Sequence, residues 1–108
     1  MGTAIQITDA NFEAEITGSK GVSIVDFGAT WCQPCKALAP IIEELASEYA
    51  GRAKIAKCDI DESAELASKM GIMSVPTIIF FRDGKKVDSM LGNHPKSTLK
   101  KKIDALVG

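Results

Sequence analysis

The sequence predicts an α/β domain in which a mixed β-sheet lies between two layers of helices. Three observations carry this. Short apolar, β-branched runs alternate with stretches whose apolar residues recur at helical spacing. The order along the chain reads β-α-β-α-β-α-β-β-α, and the early alternation implies parallel strands joined by right-handed crossovers. The last two strands meet at Asp83-Gly84, a hairpin signal that adds antiparallel pairing.

The elements follow in order. Residues 5–7 form a short strand. Thr8 or Asp9 caps a helix that carries Phe12 and Ile16 on one face and stops at Gly18. Residues 22–27 are almost continuously apolar, as in a strand covered on both faces. Leu38, Ile41, Ile42, Leu45 and Tyr49 mark a helix ended by Gly51, with Pro40 expected to kink it. Residues 53–60 read as a strand and 63–70 as a short helix stopped by Gly71. Residues 77–82 and 86–91 form the hairpin. Pro95 opens a last helix with Leu99, Ile103 and Leu106 or Val107 facing inward. Phe12, Phe27, Phe80 and Phe81 read as core.

The bulk numbers suit one globular domain over residues 1–108: 45% apolar and 25% charged. A net charge of −1 supplies no positive field for nucleic acid or an anionic membrane. Lys100, Lys101 and Lys102 read as a solvated helix face near the negative end of the dipole. No run approaches the ~20 apolar residues of a membrane span. Residues 1–10 show no secretory pattern, and Gln6 stands where N-terminal acylation at Gly2 needs Ser or Thr.

The three cysteines, Cys32, Cys35 and Cys58, are too few and odd in number for a disulfide-stapled secreted framework. A close pair with one distant thiol fits a reducing compartment, here the cytoplasm. Zinc is the rival reading. Its closed sites need four ligands, only Cys58 and His94 could join the pair, and no metal site is expected. Cys58 reads as an inert small hydrophobe. His94 reads as a surface residue near a helix cap.

The segment Trp31-Cys32-Gln33-Pro34-Cys35-Lys36 joins a buried strand to the start of an amphipathic helix. Residues three apart on a helix are neighbours, so the sulfurs can reach bonding distance. The first turn presents unpaired N–H groups and a partial positive charge, which favour a thiolate. Pro34 fits there because its missing N–H has no helical partner. Cys32, at the tip, is expected to be exposed and the nucleophile; such motifs hold thiols at roughly pKa 3.5–7.5. Cys35, one turn inside, is expected to be shielded and to resolve the mixed disulfide. The blander reading is two core cysteines without chemistry, which Trp31 and Gln33 beside them oppose.

Asp26 interrupts an apolar strand between Val25 and Phe27. A carboxylate buried there is driven toward a raised pKa. Lys57 on the next strand either pairs with Asp26 or snorkels from an edge. Val75-Pro76 precedes a strand, and the base rate for X–Pro favours trans.

These residues together resemble the thioredoxin family. The match runs through Val25-Asp26-Phe27-Gly28-Ala29-Thr30-Trp31-Cys32-Gln33-Pro34-Cys35-Lys36, and through Pro40, Lys57, Val75-Pro76-Thr77, Asp83-Gly84 and Gly92. The resemblance implies the thioredoxin fold, with five strands and four helices, and a redox disulfide between Cys32 and Cys35. It implies that Asp26, and with it Lys57, handles the Cys35 proton, and that Pro76 is cis. It implies a substrate rim of Trp31, Gln33, Pro34, Ile60, Ser74, Val75, Pro76 and Gly92. It further implies a protein-disulfide reductant, recharged by a thioredoxin reductase that draws on NADPH or ferredoxin; no bound cofactor is expected, and a monomer is the default state. Two positions depart from the family pattern. Gln33 replaces the usual Gly between the cysteines, and Gly28 replaces an aromatic ring. Both bear on reduction potential and partner preference. The dipeptide containing Gln33 motivates a second reading, an oxidant or isomerase of the same fold. A third is a non-catalytic binding subunit, which the intact cysteine pair opposes.

Overall fold

A computed structural model describes residues 3–108; Met1 and the acylation position Gly2 lie outside them. The strands are β1 (Ile5–Ile7), β2 (Val22–Gly28), β3 (Ala53–Asp59), β4 (Thr77–Arg82) and β5 (Lys85–Leu91). The helices are α1 (Gln33–Glu48), α2 (Ala64–Lys69) and α3 (Lys96–Val107), with a short π-helical turn at Glu13–Thr17.

The five strands form one sheet in the order β1-β3-β2-β4-β5. β1, β3 and β2 run parallel, and β4 and β5 add antiparallel. Asp83 at φ 52° and Gly84 at φ 81° close the hairpin with the two positive-φ residues that a tight hairpin turn requires.

Strand side chains alternate between faces, so each strand feeds two cores. Ile24, Ile55, Ile78 and Phe80 pack with Leu38, Ile42 and Leu45 of α1 and Leu99 and Ile103 of α3. Val25, Phe27, Ile79 and Phe81 pack on the other face with Phe12, Ile16 and Leu66. All four phenylalanines are buried, as the sequence suggests.

Residues 9–18 differ from expectation. The helix carrying Phe12 and Ile16 is a single π-helical turn, and Asp9 does not cap it. Its Oδ1 instead accepts the Leu66 N–H at 2.8 Å, satisfying the first turn of α2 from across the fold. Local sequence spacing cannot reveal such a cap. At the other end, Pro95 itself is the N-cap of α3, and the His94 ring binds the Leu91 carbonyl at 2.9 Å. Among the described residues no helix is long and apolar enough to cross a membrane.

Candidate functional site: a cysteine pair between two cavities

β2 ends at Gly28 and α1 starts at Gln33, so the intervening turn delivers Cys32 to the N-cap of α1. Its extended backbone (φ −93°, ψ 113°) is the usual N-cap conformation. Its Sγ accepts the Cys35 N–H at 3.3 Å, using one of the donors a helix start leaves free. Pro34 falls in this first turn, where no N–H is missed. Cys32 and Cys35 are disulfide-bonded with Cα atoms 5.2 Å apart.

Burial does not distinguish the two cysteines in the way the sequence implies. Cys32 is only 5% exposed and Cys35 8%. Ala29 packs with the pair, and Ile60 and Val75 lie against them; the last two arrive from distant loops, which a helix-tip argument does not include. What separates the two cysteines is the space each one lines. Cys32 lines a groove of about 480 Å³ with Trp31, Gln33, Pro34, Ile60, Ile72, Met73, Ser74 and Val75. Cys35 lines a second cavity of about 370 Å³ that also touches Asp26, Gly28, Ala39 and Lys57.

The groove is largely apolar. Trp31 is 63% exposed and Met73 94%, an unusual exposure for large apolar side chains. The indole N–H of Trp31 donates to Asp61 Oδ2 at 2.8 Å, which fixes the ring beside the pair. Val75-Pro76 is cis, and the Val75 carbonyl oxygen lies 3.8 Å from Cys32 Sγ. Gly92, at φ 81°, donates its N–H to the Pro76 carbonyl at 2.9 Å. Asn93 Nδ2 donates to the Pro34 carbonyl at 3.5 Å. Ser74 accepts the Thr77 hydroxyl at its carbonyl. These bonds tie the two loops and the start of α1 into one rim. Asp61, Ile72 and Met73 were not legible as rim residues. Asp61 acts through a bond to a residue 30 positions away, and the loop of Ile72 and Met73 has no periodicity.

Asp26 lies on β2 facing α1, 7% exposed, and its Oδ1 has no hydrogen-bond partner among the described residues. Burial pushes its carboxyl up to about 7, against the opposing attraction of Lys57. Lys57 stands opposite it in the β2–β3 register. A direct pair between them is not what forms. Lys57 Nζ bonds Glu43 Oε2 at 3.1 Å, and Glu43 Oε1 also accepts the Ala4 N–H at 3.0 Å. Glu43, on α1 above that face, offers a partly solvated carboxylate, whereas reaching Asp26 requires the ammonium to lose its water. Burial pushes the Cys58 thiol up to about 11, in the core on the opposite sheet face. Among the described residues no group of three or more His, Cys, Asp or Glu side chains is placed to hold a metal ion.

A disulfide at a helix N-terminus, on a mixed sheet with helices on both faces, defines a thiol–disulfide oxidoreductase. The Thioredoxin family model matches residues 3–105, and this chain belongs to that family. It is 48% identical over 107 residues to thioredoxin 2 of Chlorobaculum tepidum, covering 99% of this chain and 98% of that one. It is 47% identical over 100 residues to thioredoxin of Staphylococcus aureus, covering 93% and 94%.

Proposed function

We propose that this chain works as a single-domain, monomeric protein-disulfide reductant in a reducing cytoplasm, recharged by a thioredoxin reductase drawing on NADPH or ferredoxin. The observation that carries the reading is the division of space around the pair: Cys32 opens on the apolar groove and Cys35 on the cavity of Asp26.

In the reduced protein, the Cys32 thiolate attacks one sulfur of a substrate disulfide held against Trp31, Ile60 and Val75. The peptide groups beside cis Pro76 pair with an extended substrate segment in the strand-addition manner. A mixed disulfide forms and the substrate's other sulfur departs. Cys35 then attacks Cys32 Sγ, its proton passing toward Asp26, whose raised pKa suits a base at neutral pH. The substrate leaves reduced, and the Cys32–Cys35 disulfide closes. Lys57 biases the charge of Asp26 through space. The reductase reverses these steps on the oxidised pair.

Gln33, exposed at the first position of α1, motivates the oxidant or isomerase reading. Equilibrium titration of the pair against glutathione separates the two. A value near the −270 mV of thioredoxin is expected, and one near the −120 mV of DsbA would establish the oxidant, a difference of roughly 7 kcal/mol.

A further inference from the structure

Gly28 closes β2 directly beside Cys35. A Cβ built at position 28 would stand 3.3 Å from Cys35 Sγ and 3.4 Å from Cys35 Cβ, tighter than ordinary packing. The φ at Gly28 is not in the left-handed region, so no backbone need calls for glycine here. What the missing side chain provides is space. Cys35, Gly28, Asp26, Lys57 and Ala39 line one cavity, and Cys32 is not among the residues that line it. Ala39, exposed on α1, is one of its outward-facing lining residues. Asp26, Lys57 and Asp59 line it with charged side chains, so the cavity is polar enough to admit solutes that carry hydrogen-bonding groups.

We propose that this cavity is a second entrance to the disulfide, through which small uncharged thiols and disulfides exchange directly at Cys35 without occupying the Trp31 groove. It goes beyond the protein-docking reading and survives the failure of that reading.

The exchange balances. A small thiolate attacks Cys35 Sγ, the Cys32–Cys35 bond breaks, and its electron pair leaves on Cys32. That thiolate is held by the Cys35 N–H at the helix N-cap, which makes Cys32 the better leaving group. A second thiolate attacks the small-molecule sulfur now attached to Cys35. The products are one small disulfide and the Cys35 thiolate, which takes a proton from solvent. Two small thiols are oxidised and the protein pair is reduced. Charged groups of both signs, Asp26, Lys36, Lys57, Asp59 and Glu62, line the cavity, so an uncharged reagent is the appropriate probe.

The test uses the full chain carrying Cys32→Ser and the probe bis(2-hydroxyethyl) disulfide. Cys35 attacks the probe, releases 2-mercaptoethanol, and keeps a mixed disulfide that intact mass and peptide mapping place on Cys35 rather than Cys58. Labelling in native buffer is expected, and Gly28→Ala should slow it about tenfold, because its Cβ makes Cys35 Sγ give by a few tenths of an ångström where a roughly 1 Å misplacement costs about 100-fold. Ala39→Leu adds bulk to the cavity lining from a solvent-exposed helix position and should also slow it. In both variants the pH midpoint of labelling should stay in place, because access changes and ionisation does not. Labelling only under denaturant, an unchanged rate in either variant, or a shifted midpoint would overturn the proposal.

Discussion

Asp26 and Lys57 face each other across the β2–β3 ladder, yet the Lys57 ammonium is bonded to Glu43 and Asp26 Oδ1 has no partner among the described residues. Asp26 therefore keeps a raised pKa, about 7, beside a cation that could have lowered it further. Asp26 thus remains able to take up and release a proton near neutral pH, next to the cavity of Cys35.

Stability should depend on that proton. Asp26 is raised in the folded state from 3.8 to about 7, so the native protein holds a proton that the unfolded chain has lost. Stability is then fully present below about pH 4, falls as pH rises toward 7, and levels off above. The full difference is about 4 kcal/mol, at 1.36 kcal/mol per pKa unit. Asp26→Asn should therefore be the more stable protein at pH 8, by up to about 4 kcal/mol less the smaller loss from an unpaired amide, and should lose that advantage near pH 4. Denaturant unfolding across that range checks both the sign and the window.

The same proton should appear in the kinetics. Resolution of the mixed disulfide by Cys35 is expected to accelerate with pH, with a midpoint near 7, as Asp26 becomes a base. In Asp26→Asn the rise around pH 7 should be absent and the rate at neutral pH lower. Rapid-mixing measurement of product release gives the profile.

Substitutions at the ion pair should move the Asp26 midpoint in opposite directions. Lys57→Met removes the one attraction that lowers it, so the midpoint should rise above 7. Glu43→Gln frees the ammonium and removes an anion, so the midpoint should fall. Carbon-13 NMR titration of the Asp26 carboxyl reads both. Stability should change by only about 1 kcal/mol or less from loss of the pair itself, because its side chains are 44% and 38% exposed.

Trp31 is the single tryptophan, and its indole is fixed by Asp61. Trp31→Ala should raise KM for a protein disulfide roughly tenfold or more, as for a large aromatic anchor in a docking surface. It should leave reaction with a small disulfide nearly unchanged. Asp61→Ala should give a weaker version of that split together with a change in tryptophan fluorescence. Equal loss on both substrate types would count against a docking role.

The sequence was most informative where the physics is local. Residues 77–82 are readable as a strand because all but the last, Arg82, are apolar or β-branched, and Asp83-Gly84 dictates its own turn. The cysteine pair was readable because a helix start imposes its chemistry on whatever stands there. Pairings made across the fold were not. Asp9 caps α2, and Lys57 chose Glu43, because of which side chains α1, β3 and the early loop bring together. The burial of Cys32 depends on Ile60 and Val75 arriving from two loops. Gly28 was legible as a missing ring, but only the structure shows the space beside Cys35 that its absence leaves.

The division of labour between the two cysteines is tested most directly by trapping. A Cys35→Ser chain, incubated with a protein disulfide substrate such as insulin, should accumulate a stable mixed disulfide that peptide mapping places on Cys32. The Cys32→Ser chain should trap little or none of that protein substrate. A complex linked through Cys35 in Cys32→Ser, with none on Cys32 in Cys35→Ser, would contradict the account.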